Sequence, residues 1–156
     1  MTKLKLTSPA FSDGGEIPRE CGYKHGNEEP PLKIECAYTR TKSLALIMDD
    51  PDAMEPAGKV WVHWVVWNIS PEALEIFQAD NSQTPEIAFS DKGMNDFGEV
   101  GYGGPAPPDK RHTYVFKLYA LDSILDLPEG STKSELEKAI EGHIVDLATL
   151  TGTYAP

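Results

Sequence analysis

The chain has 156 residues, 40% hydrophobic and 25% charged, which excludes a disordered segment and suits one domain able to bury roughly 70% of its unfolded surface. A formal charge of −11 leaves no basic surface for nucleic-acid phosphates and disfavours docking on anionic lipid. No apolar run has bilayer length and MTKLKLTSPAF lacks a signal-peptide core, so a cytoplasmic protein without membrane insertion is expected.

Thirteen prolines and thirteen glycines imply many turns, as in an all-β fold. In chain order, KLKLT (3–7) alternates like a short strand, and residues 12–31 form a polar, Gly- and Pro-rich loop. LKIECAYT (32–39) and SLALIMDD (43–50) are two strands separated by a basic turn from Arg40 to Lys42. A Pro/Gly loop (51–59) leads to VWVHWVVWNI (60–69), the strongest strand signal in the chain. Ser70 followed by Pro71 predicts a short helix over 71–77. The region 79–111 is irregular, with one short strand near 86–89, and ends in GEVGYGGPAPPDKR. HTYVFKLYALD (112–122) is a further strand. Thr132 and Glu135 form a capping box, after which Leu136, Ile140, His143, Ile144 and Leu147 recur at helical spacing. Gly142 weakens that C-terminal helix and Gly152 terminates it. The residues thus predict a β-sandwich or open barrel with peripheral helices. Cys21 and Cys36 lack metal-type spacing, and a reducing cytosol favours free thiols over a disulfide between them.

Side-chain alternation locates the candidate functional residues. In 60–69, His63 falls with Trp61, Val65, Trp67 and Ile69, and both faces are apolar, so His63 belongs to a buried central strand. A core histidine bonded to backbone is the plain structural reading of that residue. His112 opens its strand and shares a face with Tyr114, Phe116, Leu118 and Ala120. Asp50 shares a face with Leu44, Leu46 and Met48, whereas Asp49 goes with Ala45 and Ile47; alternation does not say which of the two faces inward.

An Asp ending a strand and two strand histidines suggest a convergent polar site with three possible uses. A metal site of two His and a carboxylate has no support from spacing. Acyl transfer lacks a G-x-S-x-G turn, and neither Cys has an activating signature. An anion site gains from Gly101, Gly103 and Gly104, whose backbone can turn N–H groups toward a ligand, with Pro105, Pro107 and Pro108 stiffening the loop. A simple rigid turn is the plain reading of the same loop. Imidazoles would supply the charge, and an inward Asp would fix a ring tautomer or raise its pKa.

DPDA (50–53), VHWVVWNI (62–69), GMNDFGEVGYGGPAPP (93–108), HTYVFKLYALD (112–122) and the closing LEKAIEGHIVDLATLTGTY together resemble the phosphatidylethanolamine-binding protein family, also called the Raf kinase inhibitor proteins. Spacing and the GYGGPAPP form are most similar to its bacterial and archaeal branch. The resemblance implies an antiparallel Greek-key β-sandwich with a small pocket at one end that takes phosphate-like anions, including phosphorylated headgroups. It implies a ligand-binding set of Asp50, His63, Gly104, Pro107, Pro108, His112 and Tyr114, with Asp52 orienting the loop and Asp49 left as an outward strand-end residue. Thr113 stands where the family usually has Arg, and the segment Asp109 to Arg111 is short; alternation points Arg111 to the opposite face.

The expected function is therefore a non-catalytic binding protein for a small anionic ligand, needing no cofactor and no metal. By resemblance it regulates an enzyme partner, a protease or a kinase; a monomer or homodimer is expected. The alternative is a small hydrolase or isomerase using Asp50, His63 and His112 as acid–base groups. A third reading is a protein–protein scaffold using its acidic surface.

Overall fold

The structure, a computed structural model, describes residues 4–35, 40–71, 76–77 and 90–156. Nine strands occur in this part: β1 (Lys5–Thr7), β2 (Gly15–Glu16), β3 (Leu32–Glu35), β4 (Ser43–Asp50), β5 (Trp61–Ile69), β6 (Ile76–Phe77), β7 (Asp91–Lys92), β8 (His112–Leu121) and β9 (Ile144–Tyr154). Two helices join them, α1 (Met54–Ala57) and α2 (Lys133–Ile140), with 3-10 turns at Arg19–Cys21 and Pro51–Ala53. The strands form a three-stranded sheet, β1-β3-β6, and a six-stranded sheet, β2-β9-β8-β4-β5-β7.

The apolar strands take the centre of the larger sheet because they must be covered on both faces. All eight residues of β4 are buried. One face (Leu44, Leu46, Met48, Trp64, Phe116, Leu118) packs with Leu6, Leu32 and Ile34 of the smaller sheet. The opposite face (Ala45, Ile47, Val65, Trp67) packs with Leu125 and with Leu136 and Ile140 of α2. Burying each large side chain contributes about 1.5–3 kcal/mol, so these two layers dominate the stability. The pocket described below lies at one end of the first layer, where β4 stops and β8 starts.

Three expectations need correction. The helical spacing beyond Thr132 ends at Ile140. Gly142 adopts φ +81°, the chain turns, and residues 144–154 become β9, paired along the whole of β8. The capping box itself is present, with Thr132 Oγ1 accepting from Glu135 N–H and Glu135 Oε1 accepting from Thr132 N–H. Hydrogen-bonding the edge of β8 outweighs a helical repeat, and the Thr- and Val-containing tail suits a strand. Gly152 ends no helix; it sits inside β9 against Ile17 and Phe11.

Second, 71–77 is not a continuous helix, since Ile76–Phe77 pair with β3; residues 72–75 lie outside the described residues. Third, the loop 51–59 carries the 3-10 turn and α1, while β2 and a further 3-10 turn interrupt 12–31. Strand β2 runs parallel to β9, so the larger sheet is not wholly antiparallel. The expected strand at 86–89 and Cys36 lie outside the described residues. Cys21 is buried with a free thiol, which burial pushes up to about 12. No helix among the described residues is long and apolar enough to cross a membrane.

Candidate functional site: a histidine held between two carboxylates

Alternation along β5 breaks at the site. Met48 pairs with Trp64 and Asp49 with Val62, so His63 is an extra residue opposite β4, a β-bulge. Val62, Val65 and Trp67 pack on the α2 side and Trp64 and Val66 on the other. The bulge lets His63 join the Trp64 side instead of the Val65 and Trp67 face that strict alternation predicts. There its ring meets Tyr114 edge-on, with centroids 5.2 Å apart.

His63 is fixed as a neutral ring. Its Nδ1–H donates to the Gly103 carbonyl at 2.6 Å, and Gly103 N–H donates back to the His63 carbonyl. Burial lowers its pKa to about 4 despite those backbone contacts. The remaining polar atom of the ring, Nε2, is therefore an acceptor.

His112 is the opposite case. Its Nδ1 lies 2.6 Å from Asp50 Oδ2 and its Nε2 2.8 Å from Asp109 Oδ1. With both carboxylates ionised each can only accept, so both ring nitrogens donate and the ring is the imidazolium. Burial alone would lower this histidine's pKa, but the bonds to Asp50 and Asp109 outweigh it and the net shift is upward. Burial raises the Asp50 pKa, against the pull of His112 and of the Asp52 N–H. For Asp109, solvent-facing at its carboxyl, slight desolvation is overcome by the His112 hydrogen bond and its pKa falls.

The DPDA turn holds this pair in place. Asp50 Oδ1 accepts from Asp52 N–H at 2.9 Å and caps the 3-10 turn, and Pro51 starts it. Asp52 Oδ2 in turn accepts from Thr113 N–H at 2.9 Å, tying the turn to the first residues of β8. Asp49 faces the other way, but not into solvent: it is 2% exposed, and its carboxylate binds Lys133 of α2. The outward strand end expected for it is thus a covered ion pair.

A cavity of about 170 Å³ opens over this floor. Asp50, His63, His112 and Tyr114 line its polar end, and Pro107 and Pro108 form one wall. Trp61, Phe97 and the α1 segment supply the apolar remainder. Phe97 stacks on Tyr23 at 3.9 Å and meets Trp61 edge-on. The sequence reading missed Trp61 and Phe97 as wall residues. Asn95 positions Phe97 by accepting from its N–H and that of Glu99, a turn that the NDFG stretch could have suggested.

The Tyr114 hydroxyl is the most informative atom. It is buried, and among the described residues nothing completes a hydrogen bond to it. The Ala106 N–H approaches it without reaching hydrogen-bond geometry, and burial pushes the phenol pKa upward. An orphan donor in a polar pocket costs about 1–3 kcal/mol unless a water or a ligand satisfies it.

The glycine loop acts differently from expectation. Gly101 N–H donates to Gly93, Gly103 N–H to His63, and Gly104 N–H to Asn27 Oδ1 at 2.7 Å. All three groups are committed within the protein. Gly104 lies outside the lining and packs on the Cys21 carbonyl, where a side chain would collide. Arg111 points away from the cavity toward Glu16 and Thr153, so it does not supply the charge missing at Thr113. Among the described residues the cavity lining contains no Lys, Arg, Ser, Thr or Cys, which leaves His112 as their cation there. Among the described residues no three His, Cys, Asp or Glu side chains converge to hold a metal ion.

The profile of the phosphatidylethanolamine-binding protein family matches residues 7–155. A UPF0098 protein of Methanothermobacter thermautotrophicus is 44% identical over 153 residues, covering 97% of this chain and 98% of that one. A UPF0098 protein of Chlamydia trachomatis is 40% identical over 153 residues, with the same shares covered. Among solved structures, a phosphatidylethanolamine-binding protein homologue from Chlamydia trachomatis superimposes with a TM-score of 0.88 at 39% identity, covering 99% of this chain and 98% of that one. Escherichia coli YbcL, described as a member of the mammalian family, gives a TM-score of 0.83 at 28% identity, covering 98% of both chains. The mostly-strand fold, the matched span and these identities agree: the chain belongs to the phosphatidylethanolamine-binding protein family.

Proposed function

We propose that the chain is a non-catalytic binding protein whose pocket takes a small phosphate-bearing group, either inorganic phosphate or a phosphorylated headgroup. The reading includes the family's Greek-key sandwich as the frame, and a cytoplasmic setting. One observation carries it: a cationic His112 stands beside the buried Tyr114 hydroxyl that lacks a partner. A tetrahedral oxyanion presents several acceptor oxygens, one for each.

The nearby Asp50 does not forbid an anion. It lines the polar end of the cavity but is spent on His112 Nδ1, whereas a ligand oxygen would meet the Nε2 side once the exposed Asp109 carboxylate gives way. At an effective dielectric of about 20, opposite charges 4 Å apart attract by about 4 kcal/mol, and the energy halves when the distance doubles. The nearer cation outweighs the farther carboxylate. The apolar rim of Trp61, Phe97, Pro107 and Pro108 suits a ligand with a short apolar portion beyond its phosphate.

Titration calorimetry with inorganic phosphate and O-phosphoethanolamine tests the reading. Tyr114→Phe and His112→Ala are expected to weaken binding at least about tenfold, the loss of one charge-assisted or buried hydrogen bond. Equal affinity in both variants and the wild type rejects the site. By family membership, a protease or kinase is the partner class to screen for inhibition.

A second reading is favoured by the short Asp50–His112 contact, which resembles the base-orienting pairs of acid–base enzymes. A small hydrolase or isomerase would use Asp50, His63 and His112. Turnover of generic phosphoesters or esters that disappears in Asp50→Asn would replace the binding reading.

A further inference from the structure

The contact between His112 and Asp109 gives Asp109 a role of its own. We propose that Asp109 is the specificity-determining residue of the pocket, an internal carboxylate seated on His112 Nε2 where an oxygen of the ligand must go. The inference rests on the anion site proposed above and adds that binding is an exchange of one anionic oxygen for another.

Four observations carry it. His112 is the cation of the lining, and its Nδ1 is committed to Asp50 at 2.6 Å, so Nε2–H is the donor it has left for a ligand. That donor is taken by Asp109 Oδ1 at 2.8 Å. His63 cannot stand in, because it donates from Nδ1 to Gly103 and is held neutral. The glycine N–H groups are also spent within the protein.

Asp109 is built to leave. It lies just outside the cavity lining, on the solvent side of His112 Nε2, so its departure would extend the cavity to that donor; Pro108, Asp109, Lys110 and Arg111 are all exposed. Its side chain is 35% exposed, against 1% for that of His112 and 4% for that of Asp50. Swinging it into solvent repacks no core residue, whereas Asp50 is fixed by both His112 and the Asp52 N–H.

Exchange sets the selectivity. A carboxylate ligand replaces one monoanion by another and gains little. A dianionic phosphoryl group brings a second charge to the same imidazolium and a second oxygen for the Tyr114 hydroxyl. Asp109 therefore screens out the abundant carboxylates and admits phosphate monoesters. The cost is affinity, since a site open one-tenth of the time binds about tenfold more weakly than its intrinsic value.

The test uses acetate and inorganic phosphate as probes, with the His112 ring signals followed by NMR in wild type, Asp109→Ala and Asp109→Asn. Acetate is expected to give a saturable shift of His112 in Asp109→Ala and none in wild type, filling the place of the deleted carboxylate. Phosphate is expected to bind about tenfold more tightly to Asp109→Ala, with Asp109→Asn between, because its amide oxygen still accepts from Nε2 without the charge. Identical acetate responses in all three proteins, or phosphate binding unchanged or weakened in Asp109→Ala, overturns the proposal. If acetate engages His112 in Asp109→Ala but phosphate perturbs that ring in no protein, the internal carboxylate stands and the phosphate reading falls.

Discussion

The Lys133 ammonium lies 2.8 Å from the carboxylate of Asp49, so adjacent aspartates at the end of one strand serve opposite faces of the sheet. Asp50 holds His112 in the pocket, while Asp49 anchors α2 over the other layer. The two neighbours divide site and scaffold between them.

Lys133→Ala should therefore lower stability without touching the pocket. It leaves a carboxylate that is 2% exposed with Lys117 at 3.9 Å as its nearest remaining cation. The expected loss is about 2–3 kcal/mol. Urea unfolding would measure it; a change under about 0.5 kcal/mol, the ordinary surface value, would show that Asp49 does not depend on Lys133.

The two pocket histidines should titrate in opposite senses. His63 has its folded pKa depressed to about 4 from 6.5, so between those values the unfolded chain binds more protons than the native one. Stability supplied by a neutral His63 is present above pH 6.5 and is lost as pH falls toward 4, by about 3 kcal/mol. His112 has a raised folded pKa, so its contribution is complete below 6.5 and is lost as pH rises through the folded value. In NMR titration the His63 ring signals should stay flat above pH 6 while those of His112 move at a midpoint above 6.5. A His63 midpoint near 6.5 would refute its neutral, carbonyl-bound state.

Tyr114→Phe separates a ligand group from a packing group. Removing a buried hydroxyl with no partner should leave the free protein as stable or about 1 kcal/mol more so, while phosphate affinity falls. Thermal melts with and without phosphate check both halves. A destabilised free protein would mean that the hydroxyl has a structural partner.

Gly104→Ala addresses a residue that the family resemblance assigns to the ligand. Its added methyl would collide with the Cys21 carbonyl and press on the Tyr23 amide, backbone atoms that cannot swing aside. A loss of about 2–3 kcal/mol is expected. The same substitution at Gly98, which is open but held at φ +83°, should cost about 1 kcal/mol. Equal costs at the two positions would remove the steric argument.

Much of this was legible in residues alone, for reasons that differ by element. Strands β4, β5 and β8 announce themselves because central strands need apolar side chains on both faces. The placement of Asp50 with Leu44 and Met48, and of His112 with Tyr114 and Phe116, followed from side-chain period. His63 did not, because a bulge shifts the period by one residue and leaves no signature in composition. Strand β9 was hidden for another reason: Leu136, Ile140, Ile144 and Leu147 keep helical spacing across Gly142 by coincidence, and the deciding force is the open edge of β8. Lys133 and Asp109 were invisible as partners, since nothing local ties a surface lysine or a loop aspartate to one carboxylate or one imidazole far along the chain.

The late strand has a consequence for how the protein is made. His112 pairs with Tyr154, Gly152 pairs with Gly15, and the Tyr154 hydroxyl donates to the Arg19 carbonyl. The last strand thus joins the first part of the chain to the sheet edge that carries the pocket. Contacts of such wide sequence separation form slowly. A chain emerging from the ribosome leaves the β9 side of β8 as an unpaired edge until residue 154 is free. The outer partner of the His112 strand is thus gained as one event with closure of the sheet.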